Sequence, residues 1–320
     1  MRPTATCRPK GAHAPDLRSG LGRPYSALVS PTAPFARTSH ALRAALEEWG
    51  FRPRRRHGQN FLTDAQAVDA IVRDAEVQAG ERVVEVGTGP GLLTHALCEA
   101  GAEVVSFDID PDIQGLARSL RDWPPTTRFE TMDVLAGKHA LAPAFAACFD
   151  GAAPVKLVSN LPYSAATPIL LGLLSLPRPP ALVVAMVQEE VGEKLLAGPG
   201  STIYGAPSVS VGLKATGRIL RRFGPQVFWP RPKVRSVLVA LTPTLPAPLE
   251  AHEHLPFGAF VTALFTRRRK VLSTAVRAAL PDLGAEEARA AILGLDLDPT
   301  LRCEAIAPER LLALWRSLVR

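Results

Sequence analysis

The sequence predicts an α/β protein in which a Rossmann-like, mainly parallel sheet is covered on both faces by helices and followed by a small all-helical C-terminal domain. Three observations carry this prediction. Short apolar runs alternate with helical stretches from residue 64 to residue 188, the pattern of repeated strand, crossover helix, strand units. A Pro-rich stretch from Thr242 to Pro256 then reads as a hinge. Beyond it only helical periodicity is left.

Taken in order, residues 1–45 are rich in Pro, Ala, Ser and Arg without periodicity, and are predicted to be a disordered basic extension. Their scarcity of acids suits an organelle transit peptide, a bacterial extension or a start codon placed too early. Asp64 is placed to cap a helix whose Ala67, Val68, Ile71 and Val72 fall at helical spacing. Strands are expected at Arg82 to Val86, Glu103 to Ile109, Arg128 to Met132, Val155 to Ser159 and Ala181 to Gln188. Helices are expected at Leu92 to Ala100, Pro111 to Leu120 and Ala166 to Leu176, and in the last domain at Phe257 to Ala279, Ala285 to Leu293 and Pro308 to Val319. The chain thus divides into 1–45, an α/β domain over 46–245 and a helical domain over 246–320. Ligands of such a sheet sit beyond the carboxyl ends of its strands.

Composition narrows the function. Of 320 residues 47% are hydrophobic, enough for a sizeable core. The four cysteines are scattered with no C-x-x-C pair and no zinc-type histidine spacing, so a reducing compartment and no metal are expected. No apolar run approaches the roughly 20 residues that cross a bilayer, and no secretory h-region opens the chain. A soluble cytoplasmic protein is expected, or one of an organelle matrix if the extension is a transit peptide. The net charge of +7 arises almost wholly before residue 47, so the distribution of charge matters more than its sum. Basic clusters lie at Arg54, Arg55 and Arg56, between Lys214 and Arg235 (Arg221, Arg222 and Lys233 among them), and at Arg267, Arg268, Arg269 and Lys270. Such local clusters are suited to phosphate contacts, although each alone is equally readable as a solvated face.

Two motifs carry chemistry. In Val83-Val84-Glu85-Val86-Gly87-Thr88-Gly89-Pro90-Gly91 the glycines follow a strand and open a helix, so a ligand can approach backbone N–H groups. Asp108 closes the next strand, where a carboxylate can accept from both ribose hydroxyls, and Asp133 follows the third, placed for an adenine amine. Leu92 occupies the position where the dinucleotide fingerprint needs glycine. S-adenosyl-L-methionine is therefore favoured over a pyrophosphate cofactor, and the sheet is expected to be that of an S-adenosylmethionine-dependent methyltransferase. Asn160-Leu161-Pro162-Tyr163 follows the fourth strand. The lone pair of an exocyclic adenine amine is delocalised into the ring. The Asn160 side-chain carbonyl and the Leu161 backbone carbonyl, held outward by Pro162, can accept its two N–H bonds and favour a pyramidal nitrogen. Tyr163 can stack on the extruded base and Phe228 on its opposite face.

These segments, together with His57-Gly58-Gln59-Asn60-Phe61-Leu62, the run from Gln188 to Gly205, Phe228 to Ser236 and Phe265 to Lys270, resemble the KsgA/Dim1 family of ribosomal RNA adenine N6,N6-dimethyltransferases from about Arg54 to the C-terminus. The resemblance implies that Asn60 and Leu62 touch the methionine end of the cofactor, that Glu85, Gly87 and Gly89 belong to its loop, and that Asp108 holds the ribose, Asp133 the adenine amine and Asn160 the reaction centre. It implies dimethylation of two adjacent adenosines near the 3′ end of small-subunit rRNA by a monomer acting on an assembling subunit, with the helical domain binding RNA. Three positions depart from the family's usual residues: Asp108 for glutamate, Glu189 for lysine and Pro207 for leucine. Other readings stay open: a non-catalytic ribosome-assembly or organelle nucleic-acid-binding factor, a large-subunit rRNA methylase and a nicotinamide-dependent oxidoreductase.

Overall fold

A computed structural model describes residues 39–53, 59–138 and 140–319. The cluster Arg54, Arg55 and Arg56 lies outside these residues, as do positions 1–38.

The sheet follows from alternation. In β6 (Leu182–Gln188), Val184 and Met186 point into one core layer while Val183, Ala185 and Val187 point into the other. Every second side chain of a strand faces the same side, so a strand that is apolar throughout must be covered twice. Seven strands take the order β4-β3-β2-β5-β6-β9-β7. β2 (Arg82–Val86), β3 (Glu103–Asp108), β4 (Thr127–Thr131), β5 (Val155–Asn160) and β6 run parallel, whereas β9 (Ser236–Pro243) is antiparallel to both its neighbours, β6 and β7 (Ala215–Phe223). A separate two-stranded ribbon pairs β1 (Phe61–Leu62) with β8 (Phe228–Trp229). Because β2 lies between β3 and β5, chain direction across the sheet reverses there, and the loops after β2 and β5 open a crevice.

The first layer packs α1 (Ser39–Glu48), α2 (Ala65–Asp74), α3 (Leu92–Glu99) and α4 (Pro111–Ser119) on the sheet through Leu46, Ile71, Leu97, Ile113 and Leu116. Asp64 caps α2 as expected, its carboxylate accepting from the Ala67 N–H at 2.8 Å. The second layer places α5 (Pro143–Ala146), α6 (Ala166–Leu173) and α7 (Glu189–Leu195) on the other face. A third core joins α8 (Ala206–Lys214), α9 (His254–Thr266), α10 (Leu272–Ala279), α11 (Ala285–Leu293) and α12 (Pro308–Leu318) around Tyr204, Phe260, Leu264 and Trp315.

Three expectations change. The extension does not run to residue 45: α1 begins at Ser39, and Leu42 and Leu46 fall on one helical face buried in the first core, with Ala45 buried beside them. The single helix expected over Phe257 to Ala279 is two, separated by the turn that carries Arg267, Arg268, Arg269 and Lys270. The hinge is clamped: Glu253 and the Pro248 carbonyl are both held by Arg316 of α12.

Candidate active site

The glycine loop leaves β2 with Gly87 at φ +85° and Gly89 at φ +52°, a region that L side chains avoid. A Cβ at Gly87 would lie 3.2 Å from the Asn160 carbonyl oxygen, and one at Gly89 would lie 2.9 Å from the Phe61 ring. Glycine thus lets three segments converge, the loop after β2, the end of β5 and the approach to β1. The loop is tied to β3, since the Gly89 N–H donates to Asp108 Oδ2 at 2.9 Å while Asp108 Oδ1 accepts from the Asp110 N–H. Buried Asp110 caps α4 and accepts from Gln59 Nε2 at 2.9 Å, holding the segment before β1 over the loop.

Asn160 ends β5. Its Nδ2 donates to the Asn60 carbonyl at 3.0 Å. Leu161 packs into the second core, and its N–H donates to the Met186 carbonyl. Tyr163 shares a 2.8 Å hydrogen bond with Ser236 Oγ of β9, and burial pushes its phenol pKa up. These residues open onto a cleft of about 1490 Å³ that also exposes Asn60, Gly87, Gly89, Asp108 and Asp133. Asp133 is solvent-exposed, its Oδ1 accepting from the Leu135 N–H. The cleft continues between the α/β layers and the helical domain, past α6, α8 and α9.

Three expected site residues lie elsewhere. Phe228 is fully buried in the first core, opposite Leu62 in the β1–β8 ribbon, and does not line the cleft. Leu62 is buried beside it. Glu85 points behind the loop: its Oε2 accepts from Thr94 Oγ1 at 2.5 Å and Ser106 Oγ at 2.7 Å, and burial raises its pKa to about 8. Glu85 adjoins Val86, which lines the cleft, and strand alternation turns Glu85 to the opposite face.

The basic clusters also sort themselves. Arg221 is paired bidentately with Asp74, and Arg222 pairs with Glu189 at 2.8 Å and Glu193 at 3.1 Å. Glu189 also meets Arg235 at 3.5 Å, so this departure from the family pattern answers two arginines. Arg268 is held by Glu304 at 2.6 Å. Lys233, Arg267, Arg269 and Lys270 are exposed and have no carboxylate partner among the described residues. Sequence reasoning missed the positioning partners Gln59, Asp110 and Ser236; two of them stood inside quoted motifs, but their contacts span 51 and 73 residues. Among the described residues no cluster of His, Cys, Asp or Glu is arranged to hold a metal.

The fold, the left-handed glycine loop and the two carboxylates beside it fit an adenosine-bearing methyl donor, with Gly87 as the cradle that a Cβ would fill. This is the class of S-adenosylmethionine-dependent methyltransferases. Within that class, the ribosomal RNA adenine dimethylase family matches residues 50–300, and the chain belongs to it. It is 40% identical over 294 residues to the ribosomal RNA small subunit methyltransferase A of Streptomyces griseus, covering 89% of this chain and 97% of that one. It is 38% identical over 257 residues to the protein of the same name from Lactobacillus delbrueckii, covering 78% and 85%. A crystal structure of a dimethyladenosine transferase from Plasmodium falciparum shares the fold with a TM-score of 0.65 at 22% identity, covering 78% of this chain and 94% of that one. The chain is an enzyme, and S-adenosylmethionine is its methyl donor. Among the described residues no helix is long and apolar enough to cross a membrane.

Proposed function

We propose that this enzyme dimethylates N6 of two adjacent adenosines near the 3′ end of small-subunit rRNA, acting as a cytoplasmic monomer on an assembling subunit. The observation that carries the reading is the Asn160 amide. With Nδ2 donating to the Asn60 carbonyl at 3.0 Å, Oδ1 is the end of the side chain available to a substrate amine. S-adenosylmethionine, when bound, supplies an electrophilic methyl carbon on sulfur. The chain's own residues position what that carbon meets. Gly87 and Gly89 hold the loop open, Asp108 accepts from the ribose and Asp133 from the cofactor's adenine amine. Asn160 Oδ1 and the Leu161 carbonyl accept the N–H bonds of the target amine, and Tyr163, fixed by Ser236, stacks on one face of the base. Rate then comes from alignment rather than from a strong base. Lys233, Arg267, Arg269 and Lys270 meet RNA phosphates, whereas Arg221, Arg222 and Arg268 are spent on acids within the protein.

Labelled S-adenosylmethionine incubated with unmethylated small subunits, followed by nucleoside analysis, is expected to yield N6,N6-dimethyladenosine. Asn160→Ala is expected to lower the rate by roughly 100-fold or more, the scale of losing one preorganised polar group, with subunit binding retained. Undiminished turnover would refute the role of Asn160. Label recovered only in large-subunit rRNA would overturn the substrate.

A further inference from the structure

The far end of the cleft, away from the two carboxylates near the glycine loop, is built around a buried cation that no acid answers. Lys214 ends α8 and is only 9% exposed. Its Nζ donates to Ser175 Oγ at 2.6 Å, and that hydroxyl is itself spent on the Leu171 carbonyl. An ammonium carries three donors, so two N–H bonds are left over. No carboxylate pairs with Lys214 among the described residues, and none lines the cleft from Asn160 to Thr266. Burial alone pushes its pKa down to about 8, so it is still mostly charged at neutrality. Ser210, one turn earlier on the same helix, lines the same wall. His254 faces it from the start of α9, with a buried Nδ1 that has no hydrogen-bond partner among the described residues. Burial, with the Lys214 charge adding to it, holds the His254 imidazole pKa down against a backbone hydrogen bond at Leu249 and the Glu253 carboxylate.

A purely structural role explains this poorly. An unpaired buried charge is strongly unfavourable. We propose that Lys214, with Ser210 beside it, binds a backbone phosphate of the RNA strand that presents its adenosine to Asn160. The cleft runs unbroken from Asn160 to Lys214. Phosphate oxygens accept the two spare Lys214 donors and the Ser210 hydroxyl, charge-assisted hydrogen bonds that set strand register without reading sequence. The inference rests on the RNA substrate proposed above.

Lys214→Met keeps most of the length and removes the charge. Filter binding of unmethylated small subunits across a KCl series is expected to show affinity weakened about tenfold and a salt slope reduced by about one. S-adenosylmethionine affinity by calorimetry is expected to stay within twofold, and thermal stability not to fall. Unchanged subunit affinity and slope would overturn the proposal. Inorganic phosphate that stabilises the wild type but not K214M, with subunit affinity unchanged, would assign the site to a free anion and overturn it likewise. Ser210→Ala, expected to weaken subunit binding about threefold, decides the matter should K214M not fold. Wild-type protein that transfers no methyl group to small subunits would sink the proposed function, whereas normal subunit binding by both variants sinks only the phosphate site.

Discussion

Glu85 precedes the glycine loop by two residues and is fully buried, with Oε2 held by Thr94 and Ser106 and Oε1 without a protein partner among the described residues. Burial is the main cause of its high pKa, about 8 against an ordinary 4.5, with the nearby Asp108 charge adding to it. Between those two values the folded protein keeps a proton that the unfolded chain has released, so the contribution is complete below pH 4.5 and stability falls as pH rises toward 8. Glu85→Gln keeps an oxygen for Thr94 and Ser106 and removes the titration. The variant is expected to match the wild type in melting temperature near pH 5 and to exceed it by about 3 °C or more at pH 8. Equal differences at both pH values would show that Glu85 ionises normally. The sequence placed this carboxylate correctly at the loop but not its direction, because one residue of strand register decides whether a side chain meets the cleft or the core.

At the scale of elements, α1 is the instructive case. Leu46 is fully buried against the first core, in a segment whose Pro- and Arg-rich surroundings suggest an unstructured extension. Leu46→Ala is expected to cost about 2–5 kcal/mol in urea unfolding, the range for emptying a buried leucine site. A cost below about 0.5 kcal/mol would mean that the helix does not dock in solution. The parallel strands β2, β3, β5 and β6 were legible within a residue or so because each is a short run dominated by Val, Leu and Phe and bounded by turn residues. β7 and β9 were not. β7 carries Arg218, Arg221 and Arg222 and reads as a basic cluster, yet as an edge strand it is buried only at its two ends and uses two of these arginines to pair with Asp74, Glu189 and Glu193. The site divides the same way. Gly87, Asp108 and Asn160 were legible because loop ends after strands are fixed by topology. Ser236, Asp110 and Lys214 gain their meaning only from partners distant in sequence.

The whole molecule depends on how the helical domain is held against the sheet, since the cleft has walls from both. The Glu253–Arg316 pair ties the end of the hinge to α12: Arg316 Nε meets Glu253 Oε1 at 2.7 Å, its Nη2 meets Oε2 at 2.5 Å and the Pro248 carbonyl at 2.8 Å, and Glu253 also accepts the Glu250 N–H. Hydrogen bonding to Arg316 is the chief cause that lowers the Glu253 pKa to about 2 from an ordinary 4.5. A depressed carboxyl pKa stabilises the fold fully above the unfolded value, and this contribution is lost as pH falls from 4.5 toward 2. Arg316 is partly exposed, so solvent screening limits the coupling to about 1 kcal/mol. A double-mutant cycle of Glu253→Gln and Arg316→Ala, measured by urea unfolding, is expected to show this coupling at pH 7 and less than half of it at pH 3. Because the same clamp sets where α9 begins, and with it the position of His254 opposite Lys214, both single variants are also expected to weaken small-subunit binding at pH 7 while leaving S-adenosylmethionine affinity unchanged. A coupling that persists undiminished at pH 3 would place the strength of the clamp in apolar packing around Trp315 and Phe257 instead of in the ion pair.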